Sequence, residues 1–192
     1  MKKIKLKEIS NIFLSPQVEE TPEGNLNYIK LSSITKNKIE IEKLSKAVYN
    51  KNRNIEKYLL KKNDIIFSAK GSNIFAVHID KDIPNLISAQ FFFNIRINSD
   101  KILPEFLTII LNNEYAKRYF EERRVGKIIK VIKKKTLEDF ELTLPPLEIQ
   151  KQIIEIVKNF EKEKELKLKS LLLKEELIDK TIFLKVWSDL NV

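Results

Sequence analysis

The spacing of hydrophobic and polar residues changes its period near residue 145. Phe140–Leu144 alternates apolar and polar residues, the period of a strand. Pro145-Pro146 ends any strand, because proline cannot donate to a ladder. Pro146 also suits the first position of a helix, where a missing N–H costs nothing. From Leu147 the spacing is helical, with Ile149, Ile153, Ile156, Val157 and Phe160 on one side. The pattern continues through Leu168, Leu171, Ile178 and Ile182 to about Val186, interrupted by the charged run Glu161–Glu165. At about 1.5 Å per residue such a helix is roughly 60 Å long. So much apolar face cannot stand alone in water. Ile149, Ile153, Val157, Phe160, Leu168, Leu171, Ile178 and Ile182 are therefore the expected contacts with a partner helix. The second half is apolar around much of its girth, which predicts more than one partner surface.

Residues before this junction read as a mixed unit. Asn25–Ile34 and Lys38–Ile41 have strand character, and Ser32, Ser33, Thr35, Lys36 and Asn37 cluster in a polar loop. Asp64–Ala69 and Ile74–Ile79 form the clearest hairpin, around Lys70-Gly71-Ser72-Asn73. That loop is small and basic. It suits close approach to a phosphate or base edge, and equally an ordinary turn. Ile87–Ile97 reads as one strand, with Phe91, Phe93, Ile95 and Ile97 toward the core and Gln90, Phe92, Asn94 and Arg96 opposite. Gln90 can read an adenine edge through its amide or serve as a structural amide. Pro104–Asn112 and Glu114–Glu122 are predicted helices. Thr136 with Asp139 reads as the N-cap of a short turn before a strand at Glu141. The division predicted is a head over 1–144 and a helix over 145–192, an α+β chain.

Charge sharpens this division. The chain has 192 residues and net charge +9. Residues 145–192 hold nine Lys and nine Asp or Glu, so the whole excess of +9 falls in residues 1–144. Within Lys117–Lys135, nine basic residues face two glutamates, a local +7. A basic head beside a neutral helix is what a polyanion binder looks like, although a solvated basic face has the same composition. There is no cysteine, which excludes disulfides and thiolate metal sites. No run approaches the roughly 18 apolar residues of a membrane span, and a soluble cytoplasmic protein is expected.

No catalytic constellation emerges. The single histidine, His78, lies in a strand without a second ligand nearby, and a structural role is expected for it. The three glycines are far apart, so no phosphate loop exists. Asp64 with Lys70 lacks the second acidic residue of a metal-dependent nuclease, and Glu161–Lys164 lies in a helical charge run. Leu144 before the proline pair does not fit an amino-methyltransferase motif. Metal ligands are not expected. Alternatives to a binding module are a free-standing DNA nuclease or methyltransferase, or a coiled-coil adaptor whose basic head is incidental.

Several stretches carry a family resemblance. Leu60–Gly71, LKKNDIIFSAKG, resembles the L-x-x-G-D-I-L-F-S-x-x-G segment of the target recognition domains of type I restriction–modification specificity (S) subunits. Ile87–Phe93, ISAQFFF, is similar to the strand that follows, with Gln90 in the matching place. Ile102–Asn112 resembles the family's I-x-P-E-Y-L helix. Gly126–Gln152, ending LTLPPLEIQKQ and followed by Ile153, resembles its junction L-x-x-L-x-I-P-L-P-P-L-x-E-Q-x-x-I, and Leu172–Phe183 the end of its long helix. Asn63 stands where a glycine is usual, and Ile149 where a glutamate is common.

The resemblance implies an α/β target recognition head and one long helix that pairs as an antiparallel coiled coil. It also implies sequence-specific binding to double-stranded DNA without catalysis. Methyltransferase (M) subunits, with a restriction (R) subunit, are the implied partners, and they hold the S-adenosylmethionine and ATP. With one head and one helix the chain looks like a half-subunit, so a homodimer reading two inverted half-sites is expected. Phosphate contacts are expected from Lys70, Arg123, Arg124, Lys127 and Lys130. Base or close backbone contacts are expected from Ser32, Ser33, Lys36, Ser72, Asn73 and Gln90.

Overall fold

Short apolar runs in the first part of the chain pair into sheets whose central strands are covered on both faces. In the computed structural model, residues 1, 2, 51–53, 69, 72 and 188–192 and the side chain of residue 187 lie outside the described part. The strands are β1 (Lys3–Lys5), β2 (Ser10–Leu14), β3 (Glu19–Glu20), β4 (Leu26–Ile29), β5 (Ile34–Thr35), β6 (Lys38–Ile39), β7 (Ser45–Val48), β8 (Ile65–Ser68), β9 (Ala76–His78), β10 (Leu86–Ser88) and β11 (Phe92–Ile97). Helices α1 (Pro104–Asn112), α2 (Glu114–Glu122) and α3 (Lys134–Glu138) follow, then β12 (Glu141–Thr143) and α4 (Leu147–Ile182). The chain divides into two units, Met1–Lys151 and Gln152–Val192. No helix among the described residues is long and apolar enough to cross a membrane.

The first unit holds two four-stranded sheets. One has the order β2-β11-β8-β9 and is antiparallel throughout; the other has the order β10-β4-β7-β3, with β10 parallel to β4. Ile66 and Val77 stand opposite each other in the first sheet and share a face. They pack with Ile29, Leu86 and Phe92 in one core cluster, which joins the two sheets. The other face of β8 presents Phe67, whose ring centroid lies 4.8 Å from that of Phe120 on α2. Tyr119 and Phe140 complete this aromatic group, each 5.1 Å from Phe120. All four residues of β8 are therefore buried, as expected for a strand covered on both sides.

Polar groups inside this core are satisfied locally, as buried groups must be. Asn94, fully buried, accepts from the Ser88 hydroxyl at 2.7 Å and donates to Ser15 at 3.0 Å, while Ser15 and Ser88 are themselves 3.0 Å apart. Arg96 donates to both carboxylate oxygens of Asp64, at 2.9 and 2.6 Å, and to the Leu59 carbonyl at 2.8 Å. Asp64 is thus committed to holding β11 beside the start of β8, and its carboxylate is not presented to a metal. The outer edge of β9 is closed by a side chain: Asn112 accepts from the Ala76 N–H at 2.9 Å and donates to its carbonyl at 2.8 Å. An edge blunted this way cannot template another strand.

Three local expectations change. The run Ile87–Ile97 is two strands in different sheets. Phe92 N–H donates to the Ala89 carbonyl and Ala89 N–H to Ile29, so the chain turns at Ala89–Phe91. Phe91, expected in the core, is exposed, and Phe92, Asn94 and Phe93 are all buried. The run Asn25–Ile34 also breaks: Ser33 N–H donates to the Lys30 carbonyl and its hydroxyl accepts from Lys30 N–H, a serine-stabilised turn. Finally, Lys133 rather than Thr136 precedes the first turn of α3, and Asp139 ends that helix.

The junction matches its pattern more closely. β12 pairs with β1, and α4 begins at Leu147, so Pro146 precedes the helix, its carbonyl accepting from Gln150 N–H. Gln150 itself is fully buried. Its amide donates to Lys101 and Pro145 carbonyls, at 2.8 and 2.9 Å, and accepts from Leu103 N–H at 2.9 Å. The first turn of α4 is thereby tied to the segment before α1.

Replacing Asn112 with alanine strands the Ala76 N–H and carbonyl at a buried position. The expected cost is about 2 kcal/mol, read as a lower denaturant midpoint with an unchanged slope.

Candidate nucleic-acid interface

Register places several loops at one end of the β2-β11-β8-β9 sheet. Ser68, the last residue of β8, stands opposite Phe92, the first of β11, and Phe67 stands opposite Ala76, the first of β9. The loop after Ser68 and the turn before Phe92 therefore emerge together. A backbone bridge between Lys70 and Val131 brings a third segment to the same place. This end carries Lys70, Asn73, Gln90, Phe91, Lys127 and Lys130, all exposed.

Each loop is held from behind. The Ser68 hydroxyl donates to the Asn73 carbonyl at 2.8 Å, which spans the hairpin loop. The 125–131 segment is closed by mutual bonds between Val125 and Val131, at 3.0 and 2.8 Å. Gly126 makes that closure possible. Its φ is +110°, and a Cβ there would sit 2.2 Å from the Ile129 carbonyl oxygen. Lys127, Ile128, Ile129 and Lys130 form the resulting tip.

The basic segment is less free than its +7 suggests. The Arg124 side chain is only 5 % exposed and bonds both carboxylate oxygens of Glu121, at 2.8 and 3.0 Å. Arg123 lies over the Tyr119 ring at 4.0 Å and donates to the Tyr119 carbonyl and to Glu122. Burial pushes the Tyr119 phenol up, and the Arg123 charge works against that. Both arginines thus close the end of α2, where cations also suit the helix dipole. Lys135 and Lys7 share Asp139, and the hydrogen bond from Lys7 is the main cause holding that carboxyl below the usual range.

Of the residues expected at DNA, Lys70, Asn73, Gln90, Lys127 and Lys130 come together. Ser32 is exposed in the helical turn Leu31–Ser33 just before β5, and Lys36 is exposed at the tip of the β5–β6 hairpin, where Lys36 and Asn37 both have positive φ, the geometry of a tight two-residue turn. Ser33 is fully buried, and its hydroxyl donates to the Lys43 carbonyl. Ser72 lies outside the described residues. Sequence reasoning assigned Phe91 to the core and did not single out Ile128 or Ile129. The signal for the pair was present: two adjacent apolar residues between lysines, two positions after a glycine, match neither a strand nor a helix face. No group of residues that could hold a metal ion occurs among the described residues.

Residues 1–174 match the family model described as type I restriction modification DNA specificity domain. The chain belongs to that family. Its members are specificity subunits, not catalysts. The protein named as the type I restriction enzyme MjaX specificity subunit of Methanocaldococcus jannaschii is 30 % identical over 164 residues, 81 % of this chain and 38 % of that protein. The HindI specificity subunit of Haemophilus influenzae is 29 % identical over 105 residues, 53 % of this chain and 23 % of that protein. The chain thus spans less than half the length of the curated relatives it matches. The crystal structure of the HsdS subunit from Thermoanaerobacter tengcongensis superposes with a TM-score of 0.64 at 21 % identity, covering 100 % of this chain and 50 % of that one. The S subunit from M. genitalium gives 0.58 at 17 % identity, covering 93 % and 44 %. These likenesses establish the fold.

The specificity domain also explains one departure from its family's pattern. Asn63, where a glycine is usual, has φ +74°. Asparagine is among the few residues other than glycine that adopt this left-handed region readily. Its side chain lies 3.2 Å from His78 Nε2.

Gly126→Ala should open the Val125–Val131 closure without unfolding the domain. The expected result is faster amide exchange at Val125 and Val131, with the global denaturation midpoint little changed.

Proposed function

We propose that this specificity domain reads a short sequence in double-stranded DNA and directs methyltransferase subunits, and with them a restriction subunit, to that site. The observation that carries the reading is the gathering of Lys70, Asn73, Gln90, Phe91, Lys127 and Lys130 at one sheet end, in the part of the chain that holds all the excess positive charge. Lys70, Lys127 and Lys130 fix register on phosphates. Gln90 and Asn73 present planar amides to base edges, and Ser32, from the turn before β5, and Lys36, from the β5–β6 hairpin, also contribute. S-adenosylmethionine and ATP chemistry belong to partner subunits.

The unit Gln152–Val192 supports the second half of the reading, an antiparallel coiled coil between two copies. At 100° per residue, Ile149, Ile153, Val157, Phe160, Lys164, Leu168, Leu171, Glu175, Ile178 and Ile182 fall on one stripe about 100° wide. Phe160, Leu168, Leu171, Ile178 and Ile182 on it are each more than 40 % exposed. Lys164 and Glu175 are the charged residues inside it, with Lys167 and Lys185 on its edge at the angle of Ile149, and Lys164 and Glu175 lie equally far from the midpoint between Lys169 and Ser170. In a two-fold antiparallel pair centred there, Lys164 meets the partner's Glu175, and Leu168 meets the partner's Leu171. A parallel pair would set like charges together. Charged positions within an apolar seam are a known device for fixing register and orientation.

Two measurements test the reading. Selection from random DNA should return an interrupted palindrome, its half-sites on the order of one helical turn apart; a single undivided site or unlike halves would count against the homodimer. Replacing Lys70, Lys127 and Lys130 together by alanine should reduce the salt slope of binding by about 3. For the helix, Lys164→Glu or Glu175→Lys alone should weaken self-association in sedimentation experiments, and the double exchange should restore it. Indifference to all three variants would remove the antiparallel seam.

A further inference from the structure

Ile128 is 97 % exposed, the most exposed large apolar side chain among the described residues, and Ile129 is 65 % exposed. Neither serves the core. Yet the backbone beneath them is held firmly, by the Val125–Val131 bonds, by Gly126 and by the bridge from Val131 to Lys70. A rigid support for two bare isoleucines, with Lys127 before and Lys130 after, calls for a partner that is both anionic and locally apolar.

We propose that this tip enters the major groove of duplex DNA and that Ile128 and Ile129 read thymine methyl groups. The inference rests on the DNA-binding reading above and adds a specificity element to it. Three observations favour a DNA groove over other anionic surfaces. The tip emerges at the same sheet end as the amides of Gln90 and Asn73 and the exposed ring of Phe91. Its base is a single antiparallel bridge, Val125 to Val131, that closes a short loop over residues 126–130, and such a loop is narrow enough to enter the major groove, about 12 Å wide. The groove also carries the one apolar group on base edges, the C5-methyl of thymine, between two phosphate backbones that Lys127 and Lys130 can straddle.

The contact is purely apolar, so it has a signature separate from the electrostatic one. Removing it changes the preference among sequences and leaves the salt slope alone, because no phosphate contact is lost. Removing the lysines does the reverse.

The test uses the full chain and its selected DNA target. In that duplex, thymines are replaced by uracil one at a time, which deletes a methyl group and keeps base pairing. Wild-type protein should lose about five- to tenfold in affinity at the thymine beneath the tip. Ile128→Ser with Ile129→Ser should bind the unmodified target at least tenfold more weakly with the same salt slope, and should show no further loss on uracil substitution. Wild-type affinity that ignores uracil at every position overturns the proposal, as does a double variant with unchanged affinity. Loss of binding to anionic vesicles by the double variant, with DNA binding intact, would assign the tip to a lipid surface instead. A wild-type chain that binds no DNA at low salt sinks the DNA-binding reading and this one with it. A DNA-binding wild type with an indifferent variant sinks this one alone.

Discussion

Strand β11 is covered on both faces, and much of the first unit follows from that constraint. A strand so placed cannot send polar side chains to water. Asn94 must therefore be satisfied by Ser15 and Ser88, and Arg96 by Asp64 and the Leu59 carbonyl. Those partners come from four other stretches of chain, so meeting the hydrogen-bond requirement of two side chains fixes β10 and the starts of the neighbouring segments. The constraint also limits the strand's length. Ala89 bonds to Ile29 in the second sheet, while Phe92 opposes Ser68 in the first. The two residues between must cross from one sheet to the other, and the crossing lifts Gln90 and Phe91 to the surface. Burial of the strand and exposure of Gln90 and Phe91 are thus two consequences of one geometry.

The start of α4 obeys similar logic. A helix N-terminus leaves unsatisfied backbone groups, and the preceding proline pair supplies carbonyls without matching donors. Gln150 answers the second need by turning its amide inward, donating to the Pro145 and Lys101 carbonyls and accepting from Leu103 N–H. Three bonds to one buried side chain define where the helix begins. Farther along, the same helix exposes Phe160, Leu168, Leu171 and Ile178, which a single chain of this composition has no hydrophobic reason to do.

Much of this was legible in the residue pattern. The β8–β9 hairpin, α1, α2, the strand before the prolines and the long helix all follow from period and breakers. What was not legible depends on distant partners. Two successive strands separated by a three-residue turn show nearly the same alternation as one long strand, so Ile87–Ile97 gave no sign of its break; only the second sheet's claim on Ala89 decides it. Ser33 and Arg124 are polar residues in polar stretches, and nothing local says that Lys43 and Glu121 take up their bonding capacity. Conversely, Phe91 looked like core because an aromatic residue in an apolar run usually is. The exposed pair at Ile128 and Ile129 hides in a segment whose lysines dominate any charge-based reading.

That last case separates two quantities that composition merges. Net charge governs how strongly a surface attracts any polyanion, but it does not say which cations are free, and here Arg123, Arg124, Lys7 and Lys135 are each paired with an acidic residue of the chain. What remains at the sheet end is a small number of cations around two amides, one ring and two aliphatic side chains. Such a surface has modest electrostatic attraction for any polyanion and a dense set of groups able to distinguish base edges. The internal ion pairs therefore do more than finish helix ends. By burying Arg124 and engaging Arg123 they take two cations out of any sequence-independent attraction, and under the proposed DNA reading a lower background raises the ratio of specific to non-specific affinity for the same set of base contacts.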